Sequence, residues 1–272
     1  MRSAGLEESL RYRAVFVSDI HLGSSACSAE LLLDFLGTVH CETLYLVGDI
    51  IDVWSLKKQF YWPPSHNEVV RRILKAARNG TRVIYIPGNH DEMFREHVGL
   101  NVGGVEIRRD SIHETADGRR LLVLHGDEFD QVVQFSPWLA RLGAHAYERL
   151  IRLNAWVNRC RRWFGAPHWS LAKYLKHRVK NAVQYIGEFE RAVATAARQR
   201  GVDGLVCGHI HHAEISTIEG VTYCNDGDWV ETCSALVEHG DGRLEILRWA
   251  EHVARRHARR DLTIAVATDR AA

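Results

Sequence analysis

The 272-residue chain predicts an α/β layered fold. Three observations carry that expectation. Short apolar runs alternate with helix-length amphipathic stretches, a βαβαβ rhythm. The 46% hydrophobic content is enough to bury a full core, in one large domain with an elaboration or in two small ones. Each apolar run also ends in Asp, Asn or His, at the strand ends where such sheets build their sites.

In chain order, "AVFVS" (14–18) reads as a buried strand, followed by a helix near 28–39. "TLYLV" (43–47) is a second strand, followed by a helix near 66–79, and "TRVIYI" (81–86) is a third. "RLLVL" (120–124) is a further strand. From about 131 to 185 the strand signal gives way to helical patterns rich in arginine and tryptophan. A helix near 187–200, the strand "GLVC" (204–207) and short strands within 213–247 complete the pattern. The tail after 250 carries a basic patch and no clear packing pattern. The domain expectation is a discontinuous core, 1–130 with 186–272, interrupted by a helical basic and aromatic cap over 131–185.

A formal net charge of +1 argues neither for nor against a nucleic-acid partner. The six cysteines form no CxxC pair and read as reduced thiols of a cytosolic protein. The N-terminal "MRSAGLEESLRYR" lacks the apolar stretch of a signal peptide. No run approaches the ~20 apolar residues of a membrane-spanning helix. A cytoplasmic location is expected, with peripheral contact on the inner membrane face left open.

The strand ends carry the chemistry. "VSDIHLG" supplies Asp19 and His21, and "LVGDIID" supplies Asp49. "IPGNHDE" supplies Asn89, His90 and Asp91. "VLHGDEFD" supplies His125 and Asp127, and "CGHIHH" supplies His209 and His211. Any one fragment alone is an ordinary turn. Together they put Asp19, Asp49, Asn89, His21, His125, His209 and His211 on one face, a set costly to desolvate unless cations pair it. Mixed nitrogen and oxygen donors suit Mn, Fe, Zn, Ni or Co rather than Ca. Seven donors are too many for one ion and fit two divalent ions sharing a carboxylate, with Asp49 the natural bridge.

The ordered motifs D-x-H, GD, GNHD, HGD and GHxH resemble those of the calcineurin-like metallophosphoesterases, over roughly residues 14–130 and 186–247. The resemblance implies a four-layer α-β-β-α sandwich with a helical insertion. It implies that Asp19, His21, Asp49 and His211 hold one metal and that Asp49, Asn89, His125 and His209 hold the other, manganese being the first expectation. It places His90 beside the phosphate, to stabilise charge or protonate the leaving oxygen, and the neighbouring Asp91 is expected to orient it. His212 matches no ligand position.

Within that family the chain resembles the UDP-2,3-diacylglucosamine hydrolase group of lipid A synthesis, through "FVSDIHLG", "GDIIDVW" and the helical insertion. It differs by carrying "GNHD" where that group has GNRD, and "YCNDGDWVETC" resembles a distinct branch. The insertion holds ten Lys and Arg between Arg141 and Lys180 against one acid, Glu148, with Trp138, Trp156, Trp163 and Trp169 in or beside it. Such a cap suits a substrate with phosphates at one end and apolar chains at the other, or an anionic membrane surface. Arg161, Arg162, Lys173 and Lys176 are the expected substrate contacts. The expected partner is a nucleotide-sugar lipid or another phosphorylated small molecule, with nucleic acid not favoured and no protein partner predicted. The alternative is a phosphoesterase acting on a different lipid phosphate, a nucleotide or a nucleic acid.

Overall fold

Strand β1 (Leu10–Val17) sets the pattern of the fold. Its side chains alternate between two buried faces: Ala14 and Phe16 join one apolar cluster, Val15 and Val17 another. A stretch covered on both sides needs apolar residues at every position, which is why its second half, Ala14 to Val17, is continuously hydrophobic. The computed structural model describes residues 9–130, 186–256 and 258. The expected cap over 131–185, with Arg161, Arg162, Lys173 and Lys176, lies outside them.

Strands β2 (Val39–Val47) and β3 (Arg82–Ile86) continue in parallel from β1. The short β4 (Asn101–Val102) and β5 (Val105–Ile107) form one edge. Strands β11 (Ser234–Glu238) and β12 (Leu244–Arg248) form the other. The seven-stranded order is β12-β11-β1-β2-β3-β5-β4. A second sheet has five strands. It runs β6 (Ser111–Glu114), β7 (Arg120–Val123), β8 (Gly204–Cys207), β10 (Val221–Asn225) and β9 (Glu214–Ile218).

The sheets meet face to face through Phe16, Tyr45, Val47 and Ile84 from the first and Leu121, Val123, Val206 and Cys224 from the second. Phe16 stacks on Tyr45 with centroids 4.7 Å apart. Tyr45 Oη lies 3.2 Å from His113 Nδ1, and His113 Nε2 lies 2.7 Å from Glu238 Oε2. Arg13 reaches the same carboxylate at 2.9 Å. This satisfied polar chain ties β6 to β11 across an otherwise apolar interface.

Helices α1 (Ala29–Thr38) and α3 (Pro64–Arg78) cover the outer face of the first sheet with Leu32, Phe35, Val69 and Ile73. Between them, α2 (Val53–Lys58) starts at Asp52, whose side chain accepts from Ser55 N at 2.8 Å and so caps the helix. A further helix spans 186–199. By internal contacts the chain forms two units, Met1–Asp127 with Ala194–Ala272, and Glu128–Val193. Both sheets lie in the first. In the second, Phe129 and Phe189 meet edge to face at 6.2 Å. Among the described residues no helix is long and apolar enough to cross a membrane.

Among the described residues the expected helices and strands are present, with β1 and β2 starting four residues earlier than their apolar runs. The tail departs from expectation. Residues 249–256 are helical, Trp249 is wholly buried, and its Nε1 donates to Asp34 Oδ2 at 2.9 Å. Arg256 reaches the other Asp34 oxygen at 2.8 Å. One apolar pair, Trp249 and Val253, anchors this helix. A single i, i+4 pair is too short a pattern to show a period.

Candidate metal centre

The parallel strands β1, β2, β3, β7 and β8 all point their carboxyl ends to one edge of the two-sheet core. The loops leaving those ends bring Asp19, His21, Asp49, His125 and His211 into overlapping groups, and the His209 ring lies beside His125. Hydrogen bonds zip the first two loops: Asp19 N to Gly48 O at 3.0 Å, His21 N to Asp49 O at 2.9 Å, and Leu22 N to Ile50 O at 2.9 Å. Asp19, His21, Asp49, His209 and His211 all have positive φ, between 50° and 69°. That conformation is uncommon for residues with a Cβ and costs about 1–3 kcal/mol each, so it persists only where the surroundings impose it.

Three overlapping groups place their donor atoms within 4.8 Å of one another: Asp19–His21–His211, Asp19–Asp49–His125 and His21–Asp49–His90. His211 Nε2 lies 3.1 Å from Asp19 Oδ1, and His21 Nε2 lies 3.8 Å from the same oxygen. His125 Nε2 lies 3.5 Å from Asp49 Oδ1, and His21 Nε2 lies 3.9 Å from Asp49 Oδ2. The rings pair accordingly, His21 with His211 at 5.6 Å and His125 with His209 at 5.1 Å. Separations of about 3–4 Å are those of neighbouring ligands each about 2.1 Å from a shared ion.

The donor set fits divalent metal. Asp19 Oδ1, Asn89 Oδ1 and His125 Nε2 are buried and have no hydrogen-bond partner. His125 Nδ1 donates to Val47 O at 2.9 Å, which leaves Nε2 as the lone-pair nitrogen facing Asp49. Three buried acceptors without donors call for a cation. The electrostatics agree. Burial opposes a charged His21, yet the Asp19, Asp52 and Asp49 carboxylates around it push it up to about 10. Burial likewise opposes charge on Asp49, but the neighbouring His125 and His21 imidazoles hold its carboxyl down at about 2. The carboxylates thus stabilise positive charge wherever it enters this cluster.

Two glycines make room. A Cβ on Gly48 would sit 2.2 Å from His125 Nδ1, and Gly48 has φ +80°. A Cβ on Gly208 would sit 2.3 Å from Ser18 Oγ and 2.6 Å from Asp19 Oδ2.

His90 is buried beside this cluster, with Nε2 3.8 Å from Asp49 Oδ2. The expected partnership with Asp91 is not what the geometry shows. His90 Nδ1 lies 3.0 Å from Asp52 Oδ1. Asp91 is turned the other way, accepting from Gly88 N at 2.6 Å, Ile50 N at 2.8 Å, Ile51 N at 3.2 Å, Asp49 N at 3.3 Å and Tyr85 Oη at 2.5 Å. Adjacent residues on a tight turn face opposite ways, and the unpaired backbone N–H groups of two loops draw the Asp91 carboxylate inward. It buckles the Asp49 loop to the Asn89 loop.

Asp52 is therefore the residue that sequence reasoning missed. Its other oxygen lies 3.6 Å from His21 Nδ1. Burial would raise its carboxyl, but hydrogen bonds to His21, His90 and Ser55 hold it well below the usual carboxylate range. An N-cap signal was available in "DVWS", where Asp52 precedes a helix start. Behind Asp19, Ser18 Oγ bridges Asp19 Oδ2 and Asp226 Oδ1 at 2.6 Å each, and burial pushes the Asp226 carboxyl well above its ordinary value. Asp127 pairs with Arg95 at 2.7 Å. His212 is exposed and lies 3.3 Å from Glu214, away from the donors.

This is a dinuclear-type donor cluster at the carboxyl edge of two facing sheets, and the family comparison agrees with it. The chain belongs to the calcineurin-like phosphoesterases, whose family model matches residues 12–213. It is a metal-dependent hydrolase. Among its relatives it is similar to the UDP-2,3-diacylglucosamine hydrolase of Aliivibrio fischeri (strain MJ11), 26% identical over 84% of this chain and 94% of that one. The Xanthomonas oryzae pv. oryzae (strain PXO99A) protein of the same name is 27% identical over 84% of this chain and 96% of its own. Among solved structures, a single mutant of Vps29 from Entamoeba histolytica is 14% identical with a TM-score of 0.42, covering 86% of this chain and 97% of that one.

Proposed function

We propose that the protein hydrolyses the diphosphate of UDP-2,3-diacylglucosamine, or of a closely similar lipid-linked nucleotide, to UMP and the acylated sugar 1-phosphate. The overlapping groups of Asp19, His21, Asp49, His125 and His211, with three orphaned buried acceptors, support the reaction class. The names of the relatives support the substrate. In this reading Asp19, His21, Asp49 and His211 hold one divalent ion and Asp49, Asn89, His125 and His209 the other. The two ions, manganese first among Mn, Fe, Zn, Ni and Co, supply Lewis acidity toward phosphoryl oxygens and lower the pKa of a water.

The chain's own residues do the rest. Water adds to one phosphorus, and the bond to the bridging oxygen breaks. The Asp52 carboxylate accepts from His90 Nδ1 and so fixes the ring with Nε2 toward the cluster. From there Nε2–H donates to a phosphoryl oxygen or protonates the leaving oxygen. Asp91 acts only through the backbone, by holding the Asp49 and Asn89 loops in register. The basic residues Arg161, Arg162, Lys173 and Lys176 of the 131–185 segment would hold the remaining phosphate or the nucleotide.

A substrate panel with Mn²⁺ tests the proposal. Release of UMP from UDP-2,3-diacylglucosamine is the expected result. Turnover of an aryl phosphate diester with no UMP release from the lipid nucleotide would refute the substrate and leave a phosphoesterase of other specificity.

A further inference from the structure

Beside the metal-binding edge, α2 and the turn after Asp91 enclose a cavity of about 370 Å³ that the donor cluster does not use. Its lining includes His90, Trp54, Lys57, Glu92, Arg95 and Glu96. Trp54 lies against His90, with ring centroids 4.2 Å apart and planes 34° from parallel. Trp54 still keeps 37% of its surface exposed. Glu92 and Glu96 are exposed on the turn of 3₁₀ helix Glu92–His97. The Arg95 guanidinium is held in place by Asp127 at 2.7 Å.

The volume falls within the range of small-ligand pockets, about 300–1,000 Å³. Its chemistry is selective. An indole plate next to the histidine of the reacting centre stacks a planar ring. Carboxylates hold a ribose diol, as an acid does in dinucleotide-binding folds. Lys57 offers a point charge for phosphate. An acyl chain placed there would desolvate the Glu92 and Glu96 carboxylates and the Lys57 ammonium, at a cost no apolar contact offsets. The apolar alternative exists nearby: a second cavity, also about 370 Å³, is lined by Ile51, Phe94, Leu100, Val102 and Ile107 among others.

We propose that the Trp54 cavity is the nucleoside subsite: the base stacks on Trp54, and Glu92 or Glu96 takes the ribose hydroxyls. This rests on the reading of the substrate as a nucleotide diphosphate. Trp54 is then a specificity-determining residue, separate from the metal ligands.

Calorimetric titration of the Mn²⁺-loaded protein with UMP and with ribose 5-phosphate isolates the base, because the two ligands share ribose and phosphate. Trp54→Ala is expected to weaken UMP about 10-fold or more, the scale of one base–aromatic stack, and to leave ribose 5-phosphate unchanged. Trp54→Phe restores most of the UMP affinity. Helix α2 has no buried residues, so the fold does not depend on this side chain. Equal weakening of both ligands, no weakening of either, or no UMP binding by the wild-type protein would each overturn the subsite. If UMP is released from UDP-2,3-diacylglucosamine while Trp54→Ala leaves UMP binding intact, the subsite fails and the proposed function stands. If no lipid nucleotide is cleaved while UMP still binds through Trp54, the proposed substrate fails and the subsite stands.

Discussion

Asp91 and Asp52 exchange the roles that their positions in the sequence suggest, and paired substitutions separate them. Asp91→Ala removes one acceptor from five donors, three of them close: Tyr85 Oη at 2.5 Å, Gly88 N at 2.6 Å and Ile50 N at 2.8 Å. Asp91 is 0% exposed, so water does not replace the lost acceptor. A buried donor left unsatisfied costs about 1–3 kcal/mol, so three strong ones together cost about 4 kcal/mol. In a domain of this size each kcal/mol lowers the melting temperature by about 2–4 °C, which predicts a drop of about 10 °C. Asp52→Asn behaves oppositely. Asparagine caps a helix as well as aspartate does, so stability changes by about 1 kcal/mol or less. The His90 ring loses its carboxylate, and turnover falls about 100-fold, the scale of a general acid or base. Thermal melts by circular dichroism and turnover of a generic aryl phosphate ester measure both arms. A variant Asp91→Ala that melts like the wild type and loses only turnover would show that Asp91 serves His90 after all.

Two further outcomes follow from the same geometry. His209→Ala and His211→Ala each lower bound metal and abolish turnover, whereas His212→Ala retains most activity and full metal content. Elemental analysis beside a turnover assay decides it, and equal loss in His212→Ala would refute the assignment of that loop. The Glu238 network gives an acid-stability prediction. Burial would raise the Glu238 carboxyl, but His113, the Ala116 N–H and Arg13 hold it below its ordinary 4.5. Its contribution is therefore present above pH 4.5 and is lost as pH falls through the lowered folded value. Glu238→Gln flattens the stability profile below pH 4.5; an unchanged profile from urea melts would remove Glu238 from the account.

The strands and the polar residues that cluster at their ends were legible because both signals are local. A strand buried on both faces is an uninterrupted apolar run, and a ligand at its end is the first polar residue after it. Less legible were elements too short to show a period. Helix α2 has six residues and buries none, and the β4–β5 hairpin is marked only by its Gly103–Gly104 turn. That turn was readable in principle, since paired glycines with positive φ suit a two-residue hairpin. The direction of side chains on one tight turn was not readable. "NHD" puts a donor, an imidazole and a carboxylate side by side, and sequence adjacency suggests that neighbours pair. In the folded loop Asp91 answers the backbone of the Asp49 loop, and the partner of His90 comes from 38 residues upstream. Nonlocal hydrogen bonds of that kind leave no trace in spacing.

The left-handed conformation of five donors gives these facts a common cause. D-x-H and H-x-H each place two ligands with one residue between them. In an extended strand, residues two apart share a face with their Cβ atoms about 7 Å apart. Turning Asp19, His21, His209 and His211 to positive φ curls each tripeptide and directs both side chains inward. Ile20, between the first pair, is wholly buried and anchors that curl. The strain is held by backbone hydrogen bonds between loops, by the Asp91 buckle, and by the His209 and His90 N–H groups, which donate to Asp19 Oδ2 and Asp49 Oδ1 at 2.8 Å each. Under the proposed function, discrimination among phosphate esters then falls to the surface beside this centre, where Trp54 lies against His90 and His90 against Asp52.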